Sequence, residues 1–281
     1  MKWTPLFLGL GALIGSATLC SAAFVSFEVA GTTSALITGT RDAFRTAIGG
    51  GTTAGANGSF GGIRSEINWD GVPADRSDSN LLPGDFFNIN SPRGVVFSTP
   101  GTGFLVSSNA GVSAPILFGF SNELQTFSAQ KVFTAVNSNI MDVSFFVPGT
   151  TTPATTSAFG AIFVDVEVAG STRLDFFNAS NSLLYSRNVL VGGNQGLSFL
   201  GAVTTAGEEI SRVRITSGAN TLVANGILGN SNDDFVVMDD FIYATPLAAS
   251  RVPDSGSSPL LLAFALLGLA GMQRSIRRMA R

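Results

Sequence analysis

Apolar and polar residues alternate along much of the second half of the chain, and this period of two is typical of β-strands with one buried face. The clearest example is the segment AIFVDVEVAG, residues 161–170. The residues predicted to point inward are Ile162, Val164, Val166 and Val168. The residues predicted to point outward are Phe163, Asp165 and Glu167. The pattern therefore predicts a strand that is half buried and half solvated.

Three further segments, NIMDVSFFVPG, STRLDFFN and SRVRITS, show the same alternation. Their predicted inward residues are Met141, Val143, Phe145, Val147, Leu174, Phe176, Val213 and Ile215. The residues predicted to point outward in the last two segments are Arg173, Asp175, Arg212 and Arg214. The segment DDFVVMDDFIYATP predicts a closing strand that ends at Pro246. Clusters of Gly, Asn, Ser and Pro separate these segments, as expected for turns. Short strands without intervening helices predict an all-β fold, an antiparallel β-sandwich of the jelly-roll type.

The region 24–114 is less regular. FVSFEVAG predicts a first strand, and TRDAFRTAIGGG predicts one helix that ends at the glycines, with Phe44, Ala47 and Ile48 on one face. We therefore predict one β-sandwich domain at 24–246, in which 115–246 carries the clear strands. We expect at most one or two short helices in it.

The N-terminus has the features of an export signal. Lys2 supplies a positive charge, a largely apolar run follows, and residues 21–23 form an A-x-A-like site for signal peptidase. Cleavage between Ala23 and Phe24 would remove residues 1–23, including Cys20.

The C-terminus combines a pentapeptide, an apolar run and a basic cluster. We assign 247–258 to a linker that contains VPDSG, and 259–281 to a hydrophobic helix with a basic tail. The uncharged stretch 255–273 would span about 28 Å as a helix, close to the hydrocarbon thickness of a bilayer. The basic residues that would set the topology are Arg274, Arg277, Arg278 and Arg281. They predict a transient inner-membrane anchor with its C-terminus in the cytoplasm.

This order of parts resembles the VPDSG-type PEP-CTERM sorting tails of exported bacterial proteins. The matching motif residues are Val252, Pro253, Asp254, Ser255 and Gly256. The resemblance implies recognition by an exosortase-type membrane transpeptidase, cleavage near the motif, and release or attachment at the cell surface. Such systems accompany exopolysaccharide and biofilm matrix, which implies exopolysaccharide as a partner. An ordinary single-pass anchor would explain the helix and the arginines but not the pentapeptide.

The middle of the chain also resembles the secreted jelly-roll domains often found ahead of such tails. The matching stretches are INWDG, SPRGVVFSTPGTGF, FGAIFVDVEVAG, GLSFLG, RVRITSG and VVMDDFIY. That group has no assigned activity, so the resemblance implies a fold and non-enzymatic export, and no catalytic residue.

The composition between the termini excludes several functions. Residues 24–250 contain 10 basic and 18 acidic side chains, a net charge of 10 − 18 = −8, which argues against a nucleic-acid partner. The same residues contain no Cys and no His, which excludes disulfides, a Ser-His-Asp triad and a usual zinc site. A serine–lysine catalyst would depend on Lys131. Glycoside hydrolysis by two carboxylates needs neither residue type and stays open as the alternative.

Two acidic sets are candidates for a structural Ca²⁺, which prefers oxygen ligands. The first joins Glu28 on the first strand to Asp239 and Asp240 on the last, since these strands are neighbours in many jelly rolls. One of the two adjacent aspartates must face inward, where its partner would be a cation, backbone amides or an arginine. The second set, in the loop WDGVPADRSDSN, comprises Asp70, Asp75 and Asp78. The simpler interpretation of that loop is a solvated segment whose side chains cap turns.

Trp69 and Tyr185 are candidates for stacking on a sugar, although a lone loop tryptophan is more often an anchor. Taken together, these features predict an exported cell-surface or matrix protein with a non-catalytic β-sandwich that has a structural or polysaccharide-binding role. The alternative is a secreted, carboxylate-dependent polysaccharide hydrolase.

Overall fold

The computed structural model describes residues 23–108, 116–223, 226–228 and 234–249. In these ranges the chain forms seventeen strands and two α-helices. The helices are α1 (Ser34–Ile48) and α2 (Phe86–Ile89). The strands are β1 (Phe24–Gly31), β2 (Ser59–Phe60), β3 (Arg64–Ile67), β4 (Val95–Ser98), β5 (Gly103–Val106), β6 (Phe133–Val136), β7 (Ile140–Phe145), β8 (Ala154–Thr155), β9 (Ala158–Val164), β10 (Arg173–Phe177), β11 (Leu183–Asn188), β12 (Leu197–Thr204), β13 (Arg212–Thr216), β14 (Thr221–Val223), β15 (Gly226–Leu228), β16 (Val237–Ala244) and β17 (Leu247–Ala248).

Most strands belong to two sheets, here called the large sheet and the small sheet. The large sheet has the order β1-β12-β9-β16-β6-β14-β15, with β3 also paired to β16, β2 to β3, and β5 to β6. The small sheet has the order β11-β10-β13-β7-β4. Among the described residues, the strands pair antiparallel except for the short parallel contact between β6 and β14. A separate pair, β8 and β17, includes the first residues of the predicted linker.

The two sheets pack face to face across a core rich in phenylalanine. Phe159 and Phe163 of β9 belong to the same buried cluster as Phe145 of β7 and Phe176 of β10. Residues from both sheets thus share one apolar layer, which confirms the predicted antiparallel β-sandwich.

The opposite face of the large sheet is covered by α1. Ile37 and Phe44 of the helix are fully buried among residues of β9, β12 and β16. The Phe44 ring lies over Gly160 and Gly201, which pair across β9 and β12. A Cβ atom at either glycine would come within 2.9 Å of that ring. The glycine pair therefore allows the helix to approach the sheet closely.

Because both faces of the large sheet are covered, the prediction of a solvated face on the AIFVDVEVAG strand is wrong. All seven residues of β9 are buried, and Phe163 faces the inter-sheet core while Ile162 faces the helix. The strand ends at Val164, and Asp165 adopts a φ of 71° in the left-handed region. Val168, predicted to point inward, is 45% exposed beyond that turn.

The strands of the small sheet follow the predicted alternation. Val213 and Ile215 of β13 are buried, whereas Arg212 and Arg214, which alternate with them, are partly exposed. The inward residues Leu174, Phe176, Met141, Val143 and Phe145 are likewise buried. Val147 lies beyond the end of β7. Alternation predicts the inward residues of this sheet because its outer face is partly solvated. The outward prediction fails at Asp175, which is 6% exposed because Arg173 and Ser186 donate to its carboxylate.

Helix α1 begins several residues before the predicted segment. It ends at Ile48, where Gly49 takes a φ of 97° and its N–H donates to the carbonyl oxygen of Arg45. A left-handed C-terminal residue of this kind favours glycine. Within the described ranges, no helix is both long enough and apolar enough to cross a membrane.

Candidate functional site

A pocket of about 630 Å³ opens beside the C-terminal end of α1. One wall consists of the last turns of the helix, with Asp42, Arg45 and Thr46. The glycine-rich segment that follows the helix forms another wall, together with Phe60 of β2. The buried side chain of Arg64 completes the lining.

Arg64 shapes the pocket by binding the end of the helix. Its guanidinium group donates to the carbonyl oxygens of Arg45 at 3.3 Å and Gly51 at 2.9 Å, and also to that of Gly49. The last carbonyls of a helix lack intrahelical partners, and a cation there also interacts favourably with the helix dipole. The same guanidinium lies 4.4 Å from the centre of the Phe60 ring. Arg64 thereby connects the helix wall to the β2 wall.

An ion-pair network crosses the base of this pocket. Arg45 Nη1 lies 3.2 Å from Asp42 Oδ1, and Arg45 Nη2 lies 2.5 Å from Glu66 Oε2. The other oxygen of Glu66 accepts from Arg64 Nε at 2.7 Å. The Asp42 side chain is 50% exposed, whereas Glu66 is buried. Asp42 is therefore the carboxylate of this network that a ligand can reach.

Next to this network, β16 buries two adjacent carboxyl groups. The pairing of β16 with β9 shifts between Met238 and Phe241, so Asp239 and Asp240 together lie opposite Ile162. This two-against-one arrangement is a β-bulge, which interrupts the normal alternation of side chains. Asp239 is 0% exposed and Asp240 is 6% exposed. The sequence predicted one buried aspartate here, and the bulge buries both.

Backbone amides and a hydroxyl bind this carboxyl pair. Asp239 Oδ2 accepts from the Phe127 N–H at 2.7 Å, and Asp239 Oδ1 accepts from the Asp240 N–H at 2.8 Å. Ser128 Oγ lies 3.1 Å from Asp239 Oδ1 and 3.2 Å from Asp240 Oδ1. Backbone amides were one of the three partners expected from the sequence, whereas the Ser128 hydroxyl was not among them.

The electrostatics of the pair follow from its burial. Burial raises the pKa of Asp239 well above its usual range, and the adjacent charge of Asp240 raises it further. Burial also raises the pKa of Asp240, although hydrogen bonds and the charge of Arg45 oppose the shift. Two adjacent buried carboxyl groups disfavour double ionisation, so the pair retains a proton to higher pH than a free aspartate.

The first predicted calcium site is not formed. Strands β12 and β9 lie between β1 and β16, so Glu28 is three strand spacings, about 14 Å, from the bulge. Glu28 instead pairs with Arg187 of β11, whose Nε donates to Glu28 Oε2 at 2.8 Å. This hydrogen bond lowers the pKa of Glu28.

The three aspartates of the second predicted calcium site also have separate surroundings. Asp70 Oδ1 accepts from the backbone N–H groups of Gln130 and Lys131, and Asp75 is an exposed neighbour of Arg76. Burial raises the pKa of Asp78. Across the ranges that the structure describes, no three His, Cys, Asp or Glu side chains form a potential metal-binding group. Turn capping, the simpler interpretation, is seen for Asn68, whose Oδ1 accepts from the Asp70 N–H at 2.8 Å. Asp70 itself joins this loop to residues 130 and 131.

The aromatic residues proposed for sugar stacking lie against the core. Trp69 is fully buried, stacks on Phe133 at 3.9 Å between ring centres, and donates from Nε1 to the carbonyl oxygen of Asp239. Trp69 is therefore a loop anchor, and its assignment as a sugar platform is wrong. Tyr185 is half-buried and stacks on Phe24 at 4.8 Å.

Lys131 has a structural position that the sequence did not predict. It is 2% exposed, and its Nζ donates to the carbonyl oxygen of Val72 and to Ser77 Oγ, the latter at 3.0 Å. Burial lowers the pKa of Lys131. Ser77 is 1% exposed and donates to the carbonyl oxygen of Pro73. Both side chains are buried, so a substrate cannot reach them. Their hydrogen bonds connect the loop before β4 to the segment that leads into β6.

The residues that line the pocket were missed from the sequence. Arg45 and Arg64 are 19 positions apart and belong to no recognised motif. Glu66 lies within a short segment without clear periodicity. The signal that could have drawn attention to this region is the glycine-rich stretch directly after the predicted helix, since several glycines there adopt positive φ.

The described part of the chain is thus a two-sheet, mainly antiparallel domain with one helix packed against its large sheet.

The C-terminal tail gives a more specific finding: residues 251–276 match the family described as the VPDSG-CTERM motif. This motif is a C-terminal sorting signal of the PEP-CTERM type, which implies a processing enzyme of the exosortase type and indicates a secreted, surface-associated protein. The matched residues and the terminal arginines lie outside the described ranges. The search of curated proteins found no match to the chain.

Proposed function

We propose that an exosortase-type transpeptidase cuts this protein at its VPDSG motif, and that the β-sandwich then serves at the cell surface as a non-catalytic module associated with extracellular polysaccharide. The observation that carries the proposal is the sorting motif at residues 251–276. The apolar run and the arginines after it would hold the protein in the inner membrane until cleavage. At the other end, β1 begins at Phe24, directly after the predicted signal-peptidase site.

The contacts in the pocket support binding rather than hydrolysis. A two-carboxylate glycosidase requires its acids to flank the scissile bond. Here both Asp42 and Glu66 bind the same guanidinium group, that of Arg45, which occupies the space between them. The carboxyl pair at Asp239 and Asp240 is buried and closed to a glycan. These contacts favour the non-catalytic alternative.

Mass spectrometry of protein recovered from the surface of expressing cells tests the sorting step. We expect chains that end near the motif and lack residues 260–281. Replacement of Val252, Pro253 and Asp254 by alanine should leave the full-length chain in the membrane fraction. Ser257→Ala and Ser258→Ala, in the adjacent spacer, should be cut like the wild type. Surface protein with an intact C-terminus would contradict cleavage.

Incubation of the surface-recovered protein with exopolysaccharide from the same cells tests the non-catalytic role. We expect the protein to sediment with the polymer and to release no new reducing ends. Release of reducing ends that disappears in Asp42→Asn would instead support the hydrolase.

A further inference from the structure

We infer that the pocket beside α1 is the ligand site of the β-sandwich and that it binds neutral saccharide units. This inference rests on the proposed association with polysaccharide. It goes further by stating where the polymer binds and which chemical class of ligand the site accepts. The cavity, of about 630 Å³, falls within the range of small-molecule sites. It is large enough for a short segment of a glycan chain.

The accessible groups in the pocket combine hydrogen-bond donors with acceptors. The Asp42 carboxylate is half-exposed and accepts hydrogen bonds, while the Arg45 side chain is 25% exposed and donates them. Thr46 donates its hydroxyl to the Asp42 carbonyl oxygen at 2.9 Å, which leaves its oxygen free to accept. Thr52 adds an exposed hydroxyl. A sugar hydroxyl donates and accepts at once, so neighbouring donors and acceptors match a polyol.

The charges in the pocket favour a neutral ligand. Arg45 pairs with both Asp42 and Glu66, Arg64 pairs with Glu66, and Arg41, which does not line the pocket, pairs with Asp42 at 2.8 Å. Each charged side chain of this cluster therefore already has a counter-ion. The Arg64 guanidinium is further occupied by the carbonyl oxygens at the end of the helix. A phosphate or uronate would approach the half-exposed Asp42 carboxylate, and a cation would approach Arg45. Either ion would be opposed by a charge of its own sign.

The walls of the pocket are held in place without a ligand. Arg64 binds the helix end, stacks on Phe60 and pairs with Glu66. A Cβ atom at Gly50 would come within 2.4 Å of the Phe60 carbonyl oxygen, so the glycine-rich wall packs directly against β2. A site that is already ordered avoids much of the entropic cost of binding. The half-buried Phe60 ring adds apolar surface suited to the C–H face of a sugar.

Titration calorimetry on the surface-recovered protein tests this inference. The probes are neutral gluco- and galacto-oligosaccharides, a uronic-acid oligosaccharide and inorganic phosphate. We expect heat of binding with a neutral oligosaccharide, and affinity at least tenfold weaker for the uronic-acid oligosaccharide and phosphate. Asp42→Asn should weaken neutral-sugar binding about tenfold, because the amide replaces a charged hydrogen-bond acceptor with a neutral and weaker one.

Ala54→Trp places a bulky side chain on the exposed rim of the pocket and should abolish binding. Ala179→Trp adds the same side chain at an exposed turn between β10 and β11 and should bind like the wild type. Equal melting temperatures of the two variants would show that both are folded. Undiminished binding by Ala54→Trp, or tighter binding of the uronic-acid oligosaccharide or phosphate, would overturn the inference. Co-sedimentation of Ala54→Trp with exopolysaccharide would meanwhile keep the proposed function intact. Failure of the wild type to sediment with the polymer would overturn both.

Discussion

The outer faces of the two sheets have opposite environments. On the small sheet, Asp142 of β7 lies between Arg212 and Arg214 of β13 on a partly exposed surface. On the large sheet, Ile162 and Phe199 lie beneath α1 and are fully buried. A strand sequence is therefore informative about its own faces only when one of them is solvated. Where a helix covers the second face, apolar residues occupy both, and a charged residue must find a partner in the interior.

We expect the largest loss of stability when the contact between helix α1 and the large sheet is removed. Phe44→Ala should lower the free energy of unfolding by about 3–5 kcal/mol, because the ring fills the space over Gly160 and Gly201. Leu183→Ala, on the exposed edge of the small sheet, should change it by no more than about 0.5 kcal/mol. Chemical denaturation of both variants provides the measurement. A loss below about 1 kcal/mol for Phe44→Ala would show that the helix is not part of the core.

The second prediction concerns the pH dependence of stability, to which buried aspartates of the two sheets contribute with opposite sign. In the large sheet, the pKa values of Asp239 and Asp240 are raised by burial, so the folded protein binds protons more readily than the unfolded chain. Their contribution to stability should fall as pH rises above about 4, the ordinary value for aspartate. Burial also raises the pKa of Asp165, to about 7, which extends the loss to neutral pH.

In the small sheet, burial of Asp142 acts to raise its pKa, but the hydrogen bonds and charges of Arg214 and Arg212 outweigh it and lower the pKa. Its contribution is present above the ordinary aspartate value and is lost as pH falls through the lowered one. Unfolding followed from pH 4 to pH 8 separates the two effects. Asp240→Asn removes one titrating group of the pair and the charge that raises the pKa of Asp239, so it should flatten the decline toward pH 8. Leu183→Ala, which changes no titratable group, should leave the slope unchanged, and an unchanged slope in Asp240→Asn would contradict this account.

The smallest effect is expected on the solvated face of the small sheet. Arg214→Ala removes two hydrogen bonds to Asp142, both at 2.8 Å, but Arg212 still pairs with that carboxylate. Exposed ion pairs contribute about 0–1 kcal/mol and are screened by salt. The unfolding free energy should therefore fall by less than about 1 kcal/mol, and the difference from the wild type should shrink at 1 M salt. A salt-independent loss of several kcal/mol would indicate that this face is covered.

The sequence allowed the inward residues of the small-sheet strands to be predicted because the outer faces of these strands are partly exposed to solvent. The alternation in SRVRITS matches the observed burial of Val213 and the partial exposure of Arg214. In STRLDFFN it is correct for Leu174 but not for Asp175, which is buried. It failed for β9, because nothing in AIFVDVEVAG indicates that α1 and the loop after residue 116 cover the second face. The helix itself was predicted from its apolar face and its terminal glycines. Its start was placed too late, and Ala47, which was assigned to the apolar face, is exposed.

The candidate site was less predictable than the fold. The aspartates of β16 were identified as buried, but the bulge that buries both depends on pairing with β9 rather than on local sequence. Glu28 was joined to them by analogy with a jelly roll, whereas the strand order separates them. The pocket depends on Arg64 reaching the end of a helix that is distant in the sequence, which no local pattern encodes.

Local patterns in the sequence thus determined the sorting tail, the all-β class and the absence of histidine and cysteine between the termini. Each of these is a property of residue type or of short spacing, so it does not require knowledge of the neighbours. The tertiary structure decided which carboxylates meet, which aromatic residues are buried and where a pocket opens. Those properties depend on contacts between residues far apart in the chain, and the strand order and the docking of α1 fix these contacts.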